Sequence, residues 1–343
     1  MSGDTRSDDG DRVLVSRMPT MSDIAAHVGV SRQLVSMILR NRPGPSEESK
    51  QRVLEAAAEL GYRVNESARL LRRKKTGLIG AFYSMRHPFE SYVVERMLEI
   101  APQRDYRLVL GPVTDWRNTD EAIGELLQQR VEAVVGFVTP GWEDVVVETR
   151  TVAPIVLMGG PTPGVDNVHI NDLEGMRAAV EHLVELGHTR IAHLRGGPDA
   201  AGETRARAYD TAIRERGLTP EVLSEGWTEE DGVRAARTLL GSSSRPTAVI
   251  CSSDIIASGL LAELARGGVA VPADLSVIGW DDSYVASLSY HSLTSVRQEI
   301  GLTAEAGLAL AVRRLTEPDS AVREIRTPAT LIQRASTAAP ARS

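Results

Sequence analysis

Residues 29–41 read GVSRQLVSMILRN. Val30, Leu34, Val35, Ile38 and Leu39 recur at the spacing of one buried helical face. Arg32, Gln33, Ser36 and Arg40 fall on the other side, and their side chains suit DNA bases and phosphates. The stretch is therefore either an ordinary amphipathic helix or one that packs on one face and reads on the other.

The flanking residues narrow the choice. Upstream, TMSDIAAHVG (20–29) opens with Thr20 followed three residues later by Asp23, a capping-box spacing. Ile24, Ala25 and Val28 form its apolar stripe, and Gly29 can take the positive φ that ends a helix. Only Val30 separates that stop from the next N-cap candidate, Ser31, so two helices meet in a tight glycine-containing turn. The second helix is predicted from Arg32 to about Arg40. A third runs from Ser46 to Gly61, with Val53, Ala56, Ala57 and Leu60 closing a three-helix core. NESARLLRRKK (65–75) follows, mixing apolar and basic residues and ending in four consecutive positive charges.

Charge points the same way. Residues 18–75 hold eleven Lys/Arg and six Asp/Glu, a net +5 in a chain of net −7, while residues 76–343 carry −11. A basic head on an acidic body directs the head toward a polyanion.

Residues 20–80, from TMSDIAAHVG to KKTGLIG, resemble the DNA-binding head of the lactose-repressor (LacI/GalR) family of bacterial transcription regulators. The likeness includes the VS pair of the second helix, ELGY at the end of the third and the AR-x-L of the hinge. It implies that Arg32 and Gln33 read base edges in the major groove, where Arg suits guanine and Gln suits adenine. Ser31, Ser36 and Asn41 fall at phosphate or capping positions. In the hinge, Asn65 is an N-cap candidate and Arg69 belongs to the AR-x-L stretch, while Leu71 matches the leucine wedged into the minor groove. There are departures: Met37 stands where many members have arginine, Leu34 where many have threonine, Arg40 for asparagine and Val64 for proline. Methionine cannot make a bidentate bond to guanine, so Met37 implies an operator different from the family's consensus.

Beyond Thr76, strand-like runs (GLIGAFY, YRLVLGPV, VEAVVGFV, APIVLM, RIAHLRG, TAVICSS, LSVIGWDD) alternate with amphipathic helical segments. That alternation predicts an α/β fold of doubly wound parallel sheets, too long for one sheet and so divided into two lobes. HLVELGHTRIAHLRG, RARAY, PADLSVIGWDD and LTSVRQ resemble landmarks of the family's periplasmic-binding-protein-like core. By that likeness the chain crosses between lobes near 160–170, 292 and 318–322. Lobe one is then 76–165 with 293–319, and lobe two is 166–292 with 320–336, between tails at 1–17 and 337–343. The head is 18–63 and the hinge 64–75.

The resemblance also implies an effector cleft lined by Phe89, Arg205, Trp227, Ser253, Asp254, Asp281 and Gln298. Met158 stands where sugar-responsive members often have aspartate, and Ser253 where many have asparagine. Both changes remove hydrogen-bonding capacity, implying a ligand that is less polar or is not a simple hexose.

Other classes find little support. The Gly-rich stretches LRGGPDAAGE and LMGGPTPG lack dinucleotide or P-loop spacing. The seven histidines include no metal-binding pair, and Cys251 is the single cysteine, in an apolar run that reads as a buried strand. Neither a catalytic residue, a metal nor a cofactor is expected. No apolar run approaches the roughly 18 residues of a membrane span, and the polar, acidic N-terminus has no signal-peptide core. The expectation is a cytoplasmic, nucleoid-associated homodimer that binds double-stranded operator DNA under control of a small-molecule effector, sugar-like or another metabolite. RASTAAPARS at the C-terminus has no heptads, so no tetramerising coiled coil is expected. The alternative is a cytoplasmic solute-binding protein without a regulatory DNA role.

Overall fold

The computed structural model describes residues 19–39, 42–62, 75–138 and 142–341. They form two compact units, divided between Lys74 and Lys75.

The first unit is helical. α1 (Met21–Val28) is held by the Thr20–Asp23 capping box and closed by Gly29 at φ 74°. α2 (Arg32–Leu39) begins where the Ser31 hydroxyl accepts the Leu34 N–H at 3.2 Å. α3 (Glu47–Glu59) is capped by Ser46. Ile24, Ala25, Val35, Ile38, Val53, Ala56 and Ala57 form the shared core. Arg52 Nη2 donates to the Val28 carbonyl at 2.8 Å, tying α3 to the otherwise unsatisfied end of α1.

The second unit contains two six-stranded sheets. In the first, the order is β11 (Glu324–Thr327), β5 (Asp166–Ile170), β4 (Ile155–Met158), β3 (Ala133–Phe137), β1 (Leu78–Ser84), β2 (Arg107–Val113), all parallel. In the second, the order is β12 (Ala329–Ile332), β10 (Thr294–Gln298), β9 (Ser276–Asp281), β8 (Ala248–Cys251), β6 (Ile191–Arg195), β7 (Glu221–Glu225). Here β12 alone runs antiparallel. Alternate strand residues feed opposite faces of the second sheet. Ile191, Ile250 and Trp280 pack with Met176 and Tyr209, whereas Ala192, Val249 and Val277 pack with Leu239 and Leu260. Both faces are covered, as parallel sheets require.

The lobe boundaries differ from the expectation. β5 and β11 belong to the first sheet and β10 to the second, so the chain crosses at Asn171, at Glu299 and at Pro328. Lobe one is 75–170 with 300–327, and lobe two begins at the Asp172–Glu185 helix. β5 was hard to place because its sequence, DNVHI, looks polar although every residue is buried. Partners near and far take up much of its polarity: Asp166 accepts from Arg314 Nη2 at 2.6 Å, Asn167 Nδ2 donates to the neighbouring Val165 carbonyl, and His169 meets Glu324. The expected tail from 337 is also corrected. Ala338 N–H donates to the Ser276 hydroxyl at 3.1 Å and Thr337 meets His182 at 2.9 Å, so this stretch is part of lobe two.

In lobe two, the Glu229–Gly241 and Asp254–Arg266 helices approach with backbones touching at two glycines. A Cβ on Gly232 would lie 2.1 Å from the Ile256 carbonyl oxygen, and one on Gly259 would lie 2.0 Å from that of Glu229. Gly124, in the Thr119–Gln128 helix, faces open space instead. All four tryptophans lie in the second unit, so their fluorescence in urea follows its unfolding. Gly259→Ala is expected to destabilise it by about 1–3 kcal/mol. Gly124→Ala should stabilise it by about 0.4–1 kcal/mol, by reducing the freedom of the unfolded chain.

Candidate functional site

In the head, Arg32 and Gln33 are exposed in the first turn of α2, while Val35 and Ile38 are buried beneath them. The hydroxyl of Ser31 is used as the helix cap, and Ser36 is half-buried. Met37 is half-buried too, and its Cε would lie 3.5 Å from a Cβ placed on Gly44. It packs partly against the loop following α2, a contact that helical spacing alone does not show. Asn41, Asn65, Arg69 and Leu71 lie outside the described residues.

In the core, a cavity of about 380 Å³ is lined by residues of both lobes. They gather at the carboxyl ends of parallel strands, where ligands bind in such folds. Ser84 ends β1, Phe137 ends β3, Met158 ends β4, Asp281 ends β9 and Gln298 ends β10. Six of the seven expected cleft residues line it: Phe89, Arg205, Trp227, Ser253, Asp281 and Gln298.

Arg205 projects from the Ala200–Glu215 helix and is only 5% exposed. Its Nε donates to Asp172 Oδ1 at 3.2 Å and its Nη1 to the Ser252 carbonyl at 2.7 Å. The guanidinium lies 5.6 Å from the ring centre of Trp227 and 5.1 Å from that of Trp280, within cation–π range of both. Burial pushes the Asp172 carboxyl up, and Arg205 pulls it back only in part.

Trp227 donates its indole N–H to Asp199 and meets His87 edge-on across the cleft, ring centres 5.7 Å apart. Its seat explains LRGGPDAAGE. Cβ atoms on Gly196 and Gly197 would lie 2.4 and 2.9 Å from the indole, so these glycines clear space for a ring. Asp199 Oδ1 caps the following helix, accepting the Gly202 N–H at 2.9 Å.

Asp254 corrects the expectation. It is wholly buried behind the cavity wall, Oδ1 accepting the Ser295 hydroxyl at 2.6 Å and Oδ2 the Ser283 N–H at 2.7 Å. It braces the turn bearing Asp281, whose φ of 108° is followed by Asp282 at 49°, both in the left-handed region. Arg297 and Arg334 each hold one Asp282 oxygen and stabilise that strained pair. Gln298 Nε2 donates to Asp281 Oδ1 at 2.5 Å. Burial raises both Asp254 and Asp281; the Asp281 charge adds to the rise at Asp254, while at Asp281 Arg205 offsets it in part and Asp172 adds to it.

Glu90, Asp199, His87, Asn118 and Thr119 also line the cavity and were missed. All lie at or near helix N-termini that follow strands, and that position was the available signal. Glu90 Oε2 accepts the Ser84 N–H at 2.6 Å. Burial pushes its carboxyl up to about 8, with Asp199 and Asp281 adding to the rise. Burial, partly offset by Asp199, holds His87 below the usual histidine range.

Similarity to known proteins follows the same division. Residues 20–65 match the profile described as bacterial regulatory proteins, lacI family, and residues 180–337 that of a periplasmic binding protein-like domain. The HTH-type transcriptional regulator GalR of Escherichia coli (strain K12) is 31% identical over 339 residues, covering 94% of this chain and 97% of GalR. The chain belongs to the LacI family. Like its relatives in that family, it is a helix-turn-helix transcriptional regulator. The crystal structure of the lac repressor dimer bound to operator and an anti-inducer superposes with a TM-score of 0.82 at 25% identity, covering 94% of this chain and all of that one. A CelR–cellobiose complex superposes at 0.69 and 28% identity, covering 93% and 99%. These LacI-family structures share the α/β architecture of a helical head and two parallel-dominated lobes.

Glu90 sets a pH dependence. Its folded pKa lies above the unfolded value, so the folded chain holds a proton the unfolded chain has lost. That contribution is full below about pH 4.5 and disappears as pH rises through about 8. His193, lowered to about 4 by burial, acts oppositely but only below the unfolded histidine range. Between pH 7 and 9 the urea midpoint, followed by tryptophan fluorescence, should therefore fall with rising pH. Glu90→Gln should flatten that slope.

Proposed function

We propose that this regulator acts as a homodimer in the cytoplasm, placing two heads on a near-palindromic operator, and that a small molecule held between the core lobes controls its affinity. The observation that carries the reading is a division of exposure within one chain. Arg32 and Gln33 stand free at the start of α2, while the interlobe cavity encloses a buried arginine, aromatic rings and hydrogen-bonding groups. In the head, Arg32 and Gln33 supply base contacts, and the basic stretch at 72–75 supplies phosphate contacts. In the core, Arg205, Trp227, Asp281 and Gln298 from lobe two meet Phe89 and Glu90 from lobe one. A ligand touching both sets favours one arrangement of the lobes over another. Relief of repression is the expected sign. The described helices include none long and apolar enough to cross a membrane. We assign no catalytic role to the cavity.

Two measurements test this. Full-length protein should select a duplex from a random pool and bind it with an affinity that falls steeply with salt, as counterion release requires. Absence of DNA binding at low salt would leave a solute-binding protein instead. Gln33→Ala should weaken the selected duplex by about 1–3 kcal/mol and relax one base position. Binding to random DNA should be unchanged by that substitution, and an equal loss on both would remove Gln33 from the base contacts.

A further inference from the structure

Charge around the interlobe cavity is unbalanced. Each arginine that reaches it already has its own carboxylate: Arg205 pairs with Asp172 behind the wall, and Arg86 with Asp115 at the rim. Three more carboxyls face the space, Glu90 from lobe one and Asp199 and Asp281 from lobe two. Among the described residues, none of these three is within ion-pair distance of a lysine, arginine or histidine. Asp199 spends both oxygens on the Gly202 and Trp227 N–H groups. Glu90 and Asp281 each spend only one, on the Ser84 N–H and the Gln298 amide.

Enclosed carboxyls without a counter-charge either take up protons or take up a cation. Among the described residues no three His, Cys, Asp or Glu side chains stand close enough to hold a metal ion. The fitting cation is therefore an organic ammonium, which needs fewer carboxyl partners than a metal ion. The walls favour such a guest. Trp227, His87, Phe89 and Phe137 line the cavity with aromatic surface suited to a carbon skeleton or an ammonium, and Asn118, Ser253 and Gln298 bring groups that can hydrogen-bond hydroxyls.

Resting on the reading of this cavity as the effector site, we propose that its ligand is a polyhydroxylated primary amine, an amino sugar or amino polyol of about hexose size, whose ammonium bridges Glu90 and Asp281. The titratable and charged groups around Glu90 are His87 at the start of its own helix and, from the other lobe, Asp199, Arg205 and Asp281. Of these, only Arg205 is a fixed cation, and Asp172 neutralises it. An arriving ammonium stabilises the ionised form of Glu90, so binding near neutral pH expels a proton from it to solvent. A neutral sugar, which would use the protonated carboxyl as a donor, expels none.

The test uses the full-length protein and matched probes at pH 7: glucosamine with glucose, galactosamine with galactose, mannosamine with mannose. At least one amine should raise the melting temperature and bind at least about tenfold more tightly than its hydroxyl partner, about 1.4 kcal/mol. Its calorimetric enthalpy should vary with buffer ionisation enthalpy, reporting proton release. Glu90→Gln and, separately, Asp281→Asn should each remove the amine preference, with circular dichroism checking that the fold is kept. The proposal is overturned if a neutral sugar binds as well as its amine, if none of the three amines binds, or if the amine binds without releasing a proton. Operator release, measured on the duplex selected from the random pool, separates the two claims. A neutral sugar that releases the duplex sinks the amine and keeps the effector site. An amine that binds as described but leaves duplex affinity unchanged sinks the effector reading alone.

Discussion

Arg205 carries a charge that lobe two buries almost completely, and the surrounding structure is arranged to make that tolerable. A buried guanidinium is stable only when its charge is paired and its donors are filled. Asp172, just past the first crossing, supplies the charge, and the Ser252 carbonyl at the end of β8 takes a second donor. The indoles of Trp227 and Trp280 close the two sides. Four separate stretches of chain are thereby tied to one side chain. Gly196 and Gly197 follow from the same arrangement, because Trp227 needs their missing side chains to reach its place. Without Arg205, Asp172 would be a buried carboxyl without its main counter-charge.

The cavity inherits its character from that clamp. Arg205 is already paired, so it faces the cavity as a hydrogen-bonding group more than as an open positive charge. The remaining carboxyls then set the local potential. Glu90 and His87 come from one lobe, Asp281 and Trp227 from the other, and their chemistry is combined only when the lobes face each other as they do here. Three short connections, at Asn171, Glu299 and Pro328, join the lobes. Asn171 caps the helix that begins with Asp172, so the arginine clamp sits one residue from a crossing.

Much of the fold was legible. All seven apolar runs are strands, because central strands of a doubly covered sheet must be apolar on both faces. The head helices were readable because caps and 3.6-residue spacing are local. β5 is not legible locally, since two of its buried polar residues, Asp166 and His169, are paired with residues more than a hundred positions away, Arg314 and Glu324. Asp254 and Asp281 look alike as carboxyls after strands. One braces a turn and the other lines a cavity, and only the positions of Ser283 and Ser295 separate them.

The sequence by itself determined the three helices of the head, the α/β character of the core and most members of the cleft. These depend on local spacing or on motifs that stay together along the chain. Tertiary structure decided where the lobes divide, which carboxyls face the cavity and which are already spent. A strand's sheet is set by its hydrogen-bonded neighbours, and a carboxyl's state by burial and by the charges around it. Both are properties of residues far apart in the chain, and neither is written at any single position.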